Sequence, residues 1–189
     1  MIIGITGTNA AGKESVAHTL KKAGFVQFSC SDAIRDEARK RGLSVDRDVL
    51  IALGNELRAT CGPSILANRV YAMIKSQKVK DAIVVSIRNP AEAEALSQYD
   101  DFVLVWVDAS PRSRYERSRL RQRDKSDFLS FDEFMKMEEM ERDAGPTGQR
   151  LALMEGLAGI TIENNGTLIE LEHQVEALLS KFKPKCARV

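Results

Sequence analysis

The stretch Gly7-Thr8-Asn9-Ala10-Ala11-Gly12-Lys13 determines how this chain is interpreted. It has the spacing GxxxxGK, with a short apolar run over residues 2–6 before it and a helical pattern from Lys13 onward. A strand, a glycine-containing turn and a helix in this order let backbone N–H groups and the helix N-terminus face phosphate oxygens. The sequence therefore predicts a phosphate-binding loop in which Lys13 contacts the β- and γ-phosphates of a nucleotide.

The position after Lys13 departs from the usual motif. Ser or Thr normally stands there and binds Mg²⁺ through its hydroxyl, but this chain has Glu14, followed by Ser15. Since a carboxylate is a good magnesium ligand, Glu14 and Ser15 are candidate metal ligands. Alternatively, Glu14 points outward and stabilises the helix N-terminus through the helix dipole. Both interpretations remain open at the level of the sequence.

Length and composition favour one domain and a locally recognised ligand. The 189 residues suffice for one well-buried core, so we predict a single domain over residues 1–189. A net charge of +1 provides no overall field, so we expect a small-molecule partner and neither nucleic acid nor membrane. The three widely spaced cysteines and two histidines predict neither disulfides nor a histidine metal centre. Reduced thiols, with no spanning apolar run, predict a cytoplasmic protein.

Short apolar runs alternate with amphipathic helical stretches, which is typical of a parallel sheet covered by helices. The run 102–107 is apolar throughout, as expected for a strand buried on both faces. The predicted strands are 2–6, 25–29, 82–86, 102–107 and 159–162. The predicted helices begin at Lys13, near Asp32, near Asp46 and at Pro63, and cover 90–98, 111–123, 131–143 and 167–182. The pattern indicates an α/β fold.

Two polar, helix-rich segments, about 32–80 and about 111–149, are too long for simple crossovers between strands. We expect the first to bind a second substrate, the acceptor. We expect the second to form a lid over the nucleotide. Because the second segment is dense in charge, its helices are expected to be weakly anchored without ligand.

Six short motifs occur in a characteristic order from the first strand to the last helix. They are residues 7–13, Ser31-Asp32, Leu57-Arg58 with Gly62, Ser86-Ile87-Arg88, Arg114-Tyr115-Glu116-Arg117 and Asn164-Asn165-Gly166-Thr167. With them the chain resembles P-loop kinases of the nucleoside-monophosphate-kinase, adenylate-kinase-like and dephospho-coenzyme-A-kinase-like group. The resemblance implies a three-layer P-loop NTPase fold with a five-stranded parallel sheet, a helical acceptor-binding insertion and a lid. It also implies ATP and Mg²⁺ as cofactors.

The resemblance assigns the nucleotide contacts. In that group the loop after the last strand borders the adenine, although an Asn-Gly pair can also form a simple turn. The candidate nucleotide-binding residues are Gly7, Thr8, Asn9, Ala10, Ala11, Gly12, Lys13, Glu14, Ser15, Asn164, Asn165 and Gly166.

Phosphoryl transfer requires positive charge around the oxygens of the transferred group, and arginines follow the strands here. Arg88 comes just after a predicted central strand, at the edge where ligands bind in open α/β sheets. The resemblance makes it a contact of the acceptor or the γ-phosphate, with a surface ion pair as the alternative. Arg114, Arg117 and Arg121 share one helix face by their spacing. We predict that Arg117 and Arg121 act in catalysis, although such a run can form only a solvated face.

Asp32, Arg35 and Arg58 lie in the predicted acceptor-binding segment. Asp32 has two compatible interpretations, a helix N-cap or an acid that orients or deprotonates an acceptor hydroxyl. Dephospho-coenzyme-A kinases carry an acid at a comparable place, whereas a monophosphate acceptor needs no base. Each arginine could bind a phosphate bidentately. The predicted acceptor ligands are thus Asp32, Arg35, Arg58 and Arg88, and the predicted catalytic residues are Lys13, Asp32, Arg88, Arg117 and Arg121.

The strand that ends in Ile83-Val84-Val85-Ser86 lacks the terminal Asp that would help to hold Mg²⁺. This absence and Glu14 favour a catalytically weak nucleotide-binding regulator as one alternative. A GTPase-type switch ranks last, because the guanine-reading NKxD signature is absent. We predict an ATP-dependent kinase that phosphorylates a nucleoside monophosphate or similar acceptor, with hydroxyl phosphorylation of the dephospho-coenzyme-A-kinase type as the alternative.

Overall fold

Five parallel strands form a single sheet in a computed structural model that describes residues 1–99, 101–121, 128–142, 145 and 150–182. The strands are Ile2–Gly7 (β1), Val26–Ser29 (β2), Ala82–Val85 (β3), Phe102–Asp108 (β4) and Ile160–Glu163 (β5). Their order across the sheet is β2-β3-β1-β4-β5. β1 is central, so the loop that follows it starts between the carboxyl ends of β3 and β4. The predicted α/β fold with a five-stranded parallel sheet is confirmed.

The helices of the described residues cover both faces of the sheet. They are Lys13–Lys22 (α1), Cys30–Lys40 (α2), Arg47–Cys61 (α3), Ile65–Ser76 (α4), Pro90–Ser97 (α5), Pro111–Arg121 (α6), Phe131–Arg142 (α7), Leu151–Leu157 (α8) and Leu168–Phe182 (α9). The sequence did not predict α8, because a helix of 7 residues shows too few turns for its apolar period to be recognised.

Two predicted helix starts need correction. α2 begins at Cys30 because the side chain of Ser29 accepts a hydrogen bond from the N–H of Ser31 at 3.2 Å. Ser29 is therefore the N-cap, and the N-cap interpretation of Asp32 is wrong. α4 begins at Ile65 rather than at Pro63, since α3 closes at Gly62 with a φ of 93°.

Side chains of the central strands alternate between two cores. Val105 and Val107 of β4 pack with residues of α1 and α9 on one face of the sheet. Leu104 and Trp106 pack with residues of α4, α5 and α8 on the other face. The result is a three-layer arrangement of helices, sheet and helices. No helix in the described ranges is both long and apolar enough to cross a membrane.

The predicted acceptor-binding segment is held together by charged side chains. The Glu37 carboxylate of α2 accepts from Arg41 at 2.8 Å and from Arg69 of α4 at 3.1 Å. These guanidinium groups hold the pKa of Glu37 below its ordinary value, with the Arg41 hydrogen bond as the main cause. Arg41 also donates to Glu56 of α3 at 2.7 Å. α2, α3 and α4 are thereby linked on their polar faces.

Buried side chains anchor the described helices of the predicted lid. Arg114 of α6 is 5% exposed and pairs with Glu138 of α7. Phe134 of α7 is 0% exposed and lies edge-on to the ring of Tyr115. These contacts differ from the weak anchoring expected from charge density, because part of that charge is paired and buried.

Candidate active site

The loop after β1 has a backbone that requires glycine at two positions. Gly7 has a φ of 134°, and a Cβ there would lie 2.0 Å from the carbonyl oxygen of Val107. Gly12 has a φ of 98°, and a Cβ there would lie 2.2 Å from Nδ2 of Asn164. A side chain at either position would strain the backbone and displace a neighbour. The two glycines therefore let the loop lie close to β4 and to the end of β5.

Lys13 folds back across the loop that precedes it. Its Nζ donates to the carbonyl oxygen of Gly7 at 2.8 Å and to that of Thr8. α1 begins at Lys13, so the positive end of the helix dipole faces the same space as the ammonium group. Backbone dipole and side-chain charge thus combine at this end of the sheet, as anion binding requires.

Two adjoining cavities open at the carboxyl edge of the sheet. We call the first, of about 470 Å³, the loop cavity; it is lined by the loop residues Asn9, Ala10, Gly12, Lys13, Glu14 and Ser15 and by arginines from α2, from α6 and from the loop after β3. We call the second, of about 570 Å³, the insertion cavity; it lies between α2 and α3. The two share the side chains of Asn9, Glu14, Ser31, Arg35, Ser86, Arg88 and Arg121.

The loop cavity is strongly basic although the chain is nearly neutral. Its basic side chains are Lys13, Arg35, Arg88, Arg117 and Arg121, and its acidic side chains are Glu14 and Asp32. Four of the predicted catalytic or acceptor-binding arginines therefore converge from separate segments. This excess of basic side chains suits the local recognition of an anionic ligand, which stays a prediction.

Arg117 is held in the loop cavity by the loop after β5. Its Nη2 donates to the carbonyl oxygen of Asn164 at 2.9 Å. Its Nη1 is buried and has no hydrogen-bond partner among the described residues. Because a buried guanidinium N–H without an acceptor is costly, this N–H is a candidate donor to an oxygen or nitrogen of a ligand.

The Asn164-Asn165-Gly166 segment supports the loop, a role that the sequence did not reveal. The Asn164 side chain is buried and donates to the carbonyl oxygen of Ala11 at 2.8 Å. Asn165 Oδ1 accepts from the N–H of Ser110 at 2.7 Å. Asn164 thus does more than form a turn, since it holds the loop against β5. Contact of Asn164, Asn165 and Gly166 with adenine stays a prediction.

Asp108, at the end of β4, is a site residue that the sequence analysis missed. Its Oδ1 accepts from the Thr8 hydroxyl and, at 2.8 Å, from the N–H of Ala109. Arg114 Nε lies 3.5 Å from the same oxygen. Asp108 therefore positions the first part of the loop. The sequence feature that could have revealed Asp108 is an acidic residue directly after the apolar run 102–107. Such a residue lies at the carboxyl edge of the sheet, where functional groups gather.

The residues present suit a magnesium ion that is bound mainly by phosphate. The described residues hold no group of three or more His, Cys, Asp or Glu side chains suited to a metal ion. Glu14 is exposed and lines both cavities together with Ser86, while Ser15 lines the loop cavity alone. Mg²⁺ in phosphate-transferring proteins keeps several waters and needs only one or two protein ligands besides phosphate. Glu14 and Ser15 fit that limited role, which stays a prediction.

Arg58 does not extend freely into the insertion cavity. Its Nε donates to Oε1 of Glu92 at 2.9 Å, and the two side chains are 5% and 0% exposed. Glu92 Oε2 accepts from the backbone N–H of Arg88 at 2.9 Å. Arg58 therefore supports the Arg88 loop through a buried ion pair, and it also lines the insertion cavity. The structure thus gives Arg58 a supporting role that the sequence did not predict, and its contact with an acceptor stays a prediction.

Asp32 and Arg35 form a pair at the mouth of the cavities. Arg35 Nη1 donates to Asp32 Oδ1 at 2.8 Å, and their side chains are 41% and 62% exposed. Both line the loop cavity, while Arg35 alone also lines the insertion cavity.

Nearby, burial raises the pKa of the Cys30 thiol well above its ordinary value, with the Glu92 charge adding to the effect. Cys30 is thus a packing residue.

Fold and loop together define a P-loop nucleotide-kinase-like protein, a class whose members generally bind ATP with Mg²⁺. The fold is similar to the TT1252 protein of Thermus thermophilus (TM-score 0.62, 21% identity, 96% and 97% of the two chains). It is also similar to shikimate kinase of Acinetobacter baumannii (TM-score 0.57, 16% identity, 99% and 95% of the two chains).

Sequence comparison places the chain more narrowly. A family model described as AAA domain matches residues 3–142. A UPF0200 protein of Pyrococcus abyssi is 30% identical over 187 residues, which is 96% of this chain and 97% of the relative. The chain therefore belongs to the AAA domain family and to the UPF0200 proteins.

Proposed function

We propose that the protein transfers the γ-phosphoryl group of ATP to a nucleotide-like acceptor, with a nucleoside monophosphate as the preferred class. One observation carries the proposal: the loop cavity and the insertion cavity meet at a shared set of arginines. Arg35, Arg88 and Arg121 line both cavities. A donor phosphate on the loop and an acceptor phosphate between α2 and α3 would therefore face the same positive charge.

The proposed roles follow from position. Lys13 and the N–H groups of the loop bind the β- and γ-phosphates. Arg88 and Arg121, at the junction, neutralise the charge that spreads over the transferred group. Arg117 Nη1, which has no partner among the described residues, donates a hydrogen bond to an oxygen or nitrogen of the nucleotide. Glu14, with Ser15, supports Mg²⁺, which when bound neutralises charge between the phosphates.

The choice of acceptor rests on the geometry at Asp32. A monophosphate oxygen is already ionised and needs no base, whereas a hydroxyl acceptor of the dephospho-coenzyme-A-kinase type does. Asp32 pairs with the Arg35 guanidinium at 2.8 Å, which occupies one of its oxygens. Arg35 also lines the insertion cavity, where basic side chains outnumber acidic ones. Both facts favour an anionic acceptor.

The two polar segments keep the roles expected of them in this proposal. Residues 32–80 bind the acceptor, and residues 111–149 act as a lid, part of which lies outside the described residues. The partner is a small molecule rather than nucleic acid or membrane. We assign the protein to the cytoplasm, where ATP and nucleotide acceptors occur together.

The test is a transfer assay with ATP, Mg²⁺ and a panel of nucleoside monophosphates, deoxynucleotides and dephospho-coenzyme A. On the best acceptor, we expect Arg121→Met to lower kcat/KM about 10²- to 10³-fold, the usual loss for a group that stabilises transition-state charge. Arg112→Met is the matched control, since Arg112 lies on the same helix, is exposed and pairs with Glu116. Equal activity of the two variants would refute the proposed role of Arg121.

A catalytically weak nucleotide-binding regulator is the second candidate. It is favoured by Ser86, which stands at the end of β3 with a φ of 62° and supplies no carboxylate beside the phosphates. ATP binding at micromolar affinity without transfer to any acceptor in the panel would select this function. Turnover that depends on Arg121 would exclude it.

A further inference from the structure

A third cavity, of about 620 Å³, lies beside the loop and takes no part in the proposed function. We call it the tryptophan cavity. It lies between the start of the loop, the end of β4, and helices α6, α7 and α8, with Trp106, Met135, Leu151 and Ala152 on its apolar walls. Its volume falls within the range of about 300–1,000 Å³ that is typical of small-molecule sites.

Two buried hydrogen-bond donors on this cavity lack partners. Trp106 is 3% exposed, and its Nε1 is buried without a hydrogen-bond partner among the described residues. Asn9 Nδ2, on the loop, is likewise buried and unpaired in that part of the chain. Burying a donor without an acceptor is unfavourable, so native structures seldom leave one unmatched. Trp106 and Asn9, the two residues that carry these donors, line the tryptophan cavity, so a ligand with acceptor atoms bound there would be near both.

The charge of the lining separates this cavity from the other two. Its acidic side chains are Asp108, Glu138, Glu139 and Glu155, and its basic side chains are Arg114, Lys136 and Arg142. Arg114 is already paired with Glu138. The loop cavity, by contrast, has a clear excess of basic groups. A phosphate or carboxylate would thus be drawn to the loop cavity and not to this one.

We propose that the tryptophan cavity binds an uncharged planar molecule that carries a carbonyl group, such as an aromatic amide. The carbonyl oxygen accepts from Trp106 Nε1 or Asn9 Nδ2, and the ring packs on Met135 and Leu151. Asn9 also lines the loop cavity and the insertion cavity, so a ligand here contacts a residue of the nucleotide-binding loop that all three cavities share. The site is separate from that of the phosphates.

Trp106 makes the proposal measurable, because it is the single tryptophan of the chain. In a ¹H–¹⁵N spectrum of the labelled full chain it provides one indole N–H resonance. Benzamide and benzoate are the probes, since they match in shape and differ in charge. We expect benzamide to shift the indole resonance saturably at millimolar concentration, with and without a saturating non-hydrolysable ATP analogue, and benzoate to leave it nearly unchanged.

Two variants on α8 localise the effect. Ala152→Phe places a ring in the cavity, and we expect it to weaken benzamide binding at least tenfold. Leu153→Phe is the control, because the exposed Leu153 adjoins it outside the lining. If Ala152→Phe fails to fold, nuclear Overhauser contacts between benzamide and the Met135 methyl group replace it, and their absence counts against the site.

Three results would overturn the proposal. The first is an indole resonance that benzamide does not move, which would mean that water satisfies both donors. The second is an equal response to benzoate, which would remove the argument from charge. The third is loss of benzamide binding when the ATP analogue is added, which would make the cavity part of the nucleotide site.

Discussion

Removal of Arg58 distinguishes an acceptor ligand from a supporting residue. The sequence predicted that Arg58 grips the acceptor phosphate, whereas the structure places it in a buried pair with Glu92. Glu92 in turn accepts from the backbone N–H groups of Arg88 and Asn89, at 2.9 and 3.2 Å. Arg58→Met keeps much of the side-chain volume but leaves the Glu92 carboxylate buried without its counter-charge.

The expected loss is large because Glu92 is 0% exposed. Breaking a buried ion pair from one side costs about 3–5 kcal/mol. Domains of this size are stable by about 5–15 kcal/mol, so the variant would lose a large share of its stability. Arg35→Met is the matched control: it also removes an arginine paired with an acid, but that pair is exposed and is worth less than about 1 kcal/mol.

Urea unfolding followed by circular dichroism measures both variants. A second change, Glu92→Gln in the Arg58→Met background, removes the stranded charge while its amide oxygen still accepts from the Arg88 N–H. We expect this double variant to recover about half of the lost stability or more, since neutral replacement of a buried pair is often tolerated. A loss below about 1 kcal/mol in Arg58→Met, together with a strongly raised KM for the acceptor, would refute the supporting role.

Three further outcomes are expected. Lys13→Ala should keep its circular dichroism spectrum and lose at least about a hundredfold in ATP-dependent transfer, because the charge at the loop is gone; unchanged turnover would contradict the assignment. Glu14→Thr should largely preserve Mg²⁺-dependent transfer but change its Mg²⁺ requirement, because a hydroxyl replaces the carboxylate as the metal ligand; a rise in turnover or an unchanged Mg²⁺ response would contradict the proposed role of Glu14. Ser130, through its hydroxyl at 2.6 Å and its N–H at 2.8 Å, holds the pKa of Glu133 below its ordinary value. The stability that comes from this lowered pKa is fully present at a pH above the ordinary carboxyl pKa. It is lost as the pH falls through the pKa of Glu133 in the folded protein. Glu133→Gln should therefore be less stable than the parent protein at neutral pH, with the gap in thermal midpoint closing in acid.

The fold could be predicted because its main signals are local. β1, the loop and α1 are contiguous, so the motif and its context lie within one window of sequence. β4 is apolar along its length because both of its faces are covered, and that pattern needs no knowledge of partners. The predicted strands accordingly match the sheet to within a residue or two at each end.

The supporting contacts of the site could not be predicted, because each joins residues far apart in the chain. Arg58 is separated from Glu92 by 34 residues, and Asn164 from Ala11 by 153. An arginine in a kinase-like insertion predicts a phosphate ligand from the sequence. That prediction is the same whether or not the fold buries an acidic residue beside the arginine. Only the packing of α3 against the Arg88 loop decides between these roles, and no spacing rule encodes that packing.

Backbone carbonyls connect the segments that meet at the loop cavity. Arg117 donates to the carbonyl oxygen of Asn164, and the Asn164 amide donates to that of Ala11, so α6 is linked to the loop through the residues after β5. The N–H of Arg150 donates to the carbonyl oxygen of Arg88 at 2.9 Å, which ties the start of α8 to the same edge. The three hydrogen-bond acceptors are main-chain carbonyl oxygens. A substitution at Asn164, Ala11 or Arg88 therefore leaves the accepting atom in place. These three bonds therefore depend on the side chains of Arg117 and Asn164 and on the main chain, and on no side chain that lines the insertion cavity.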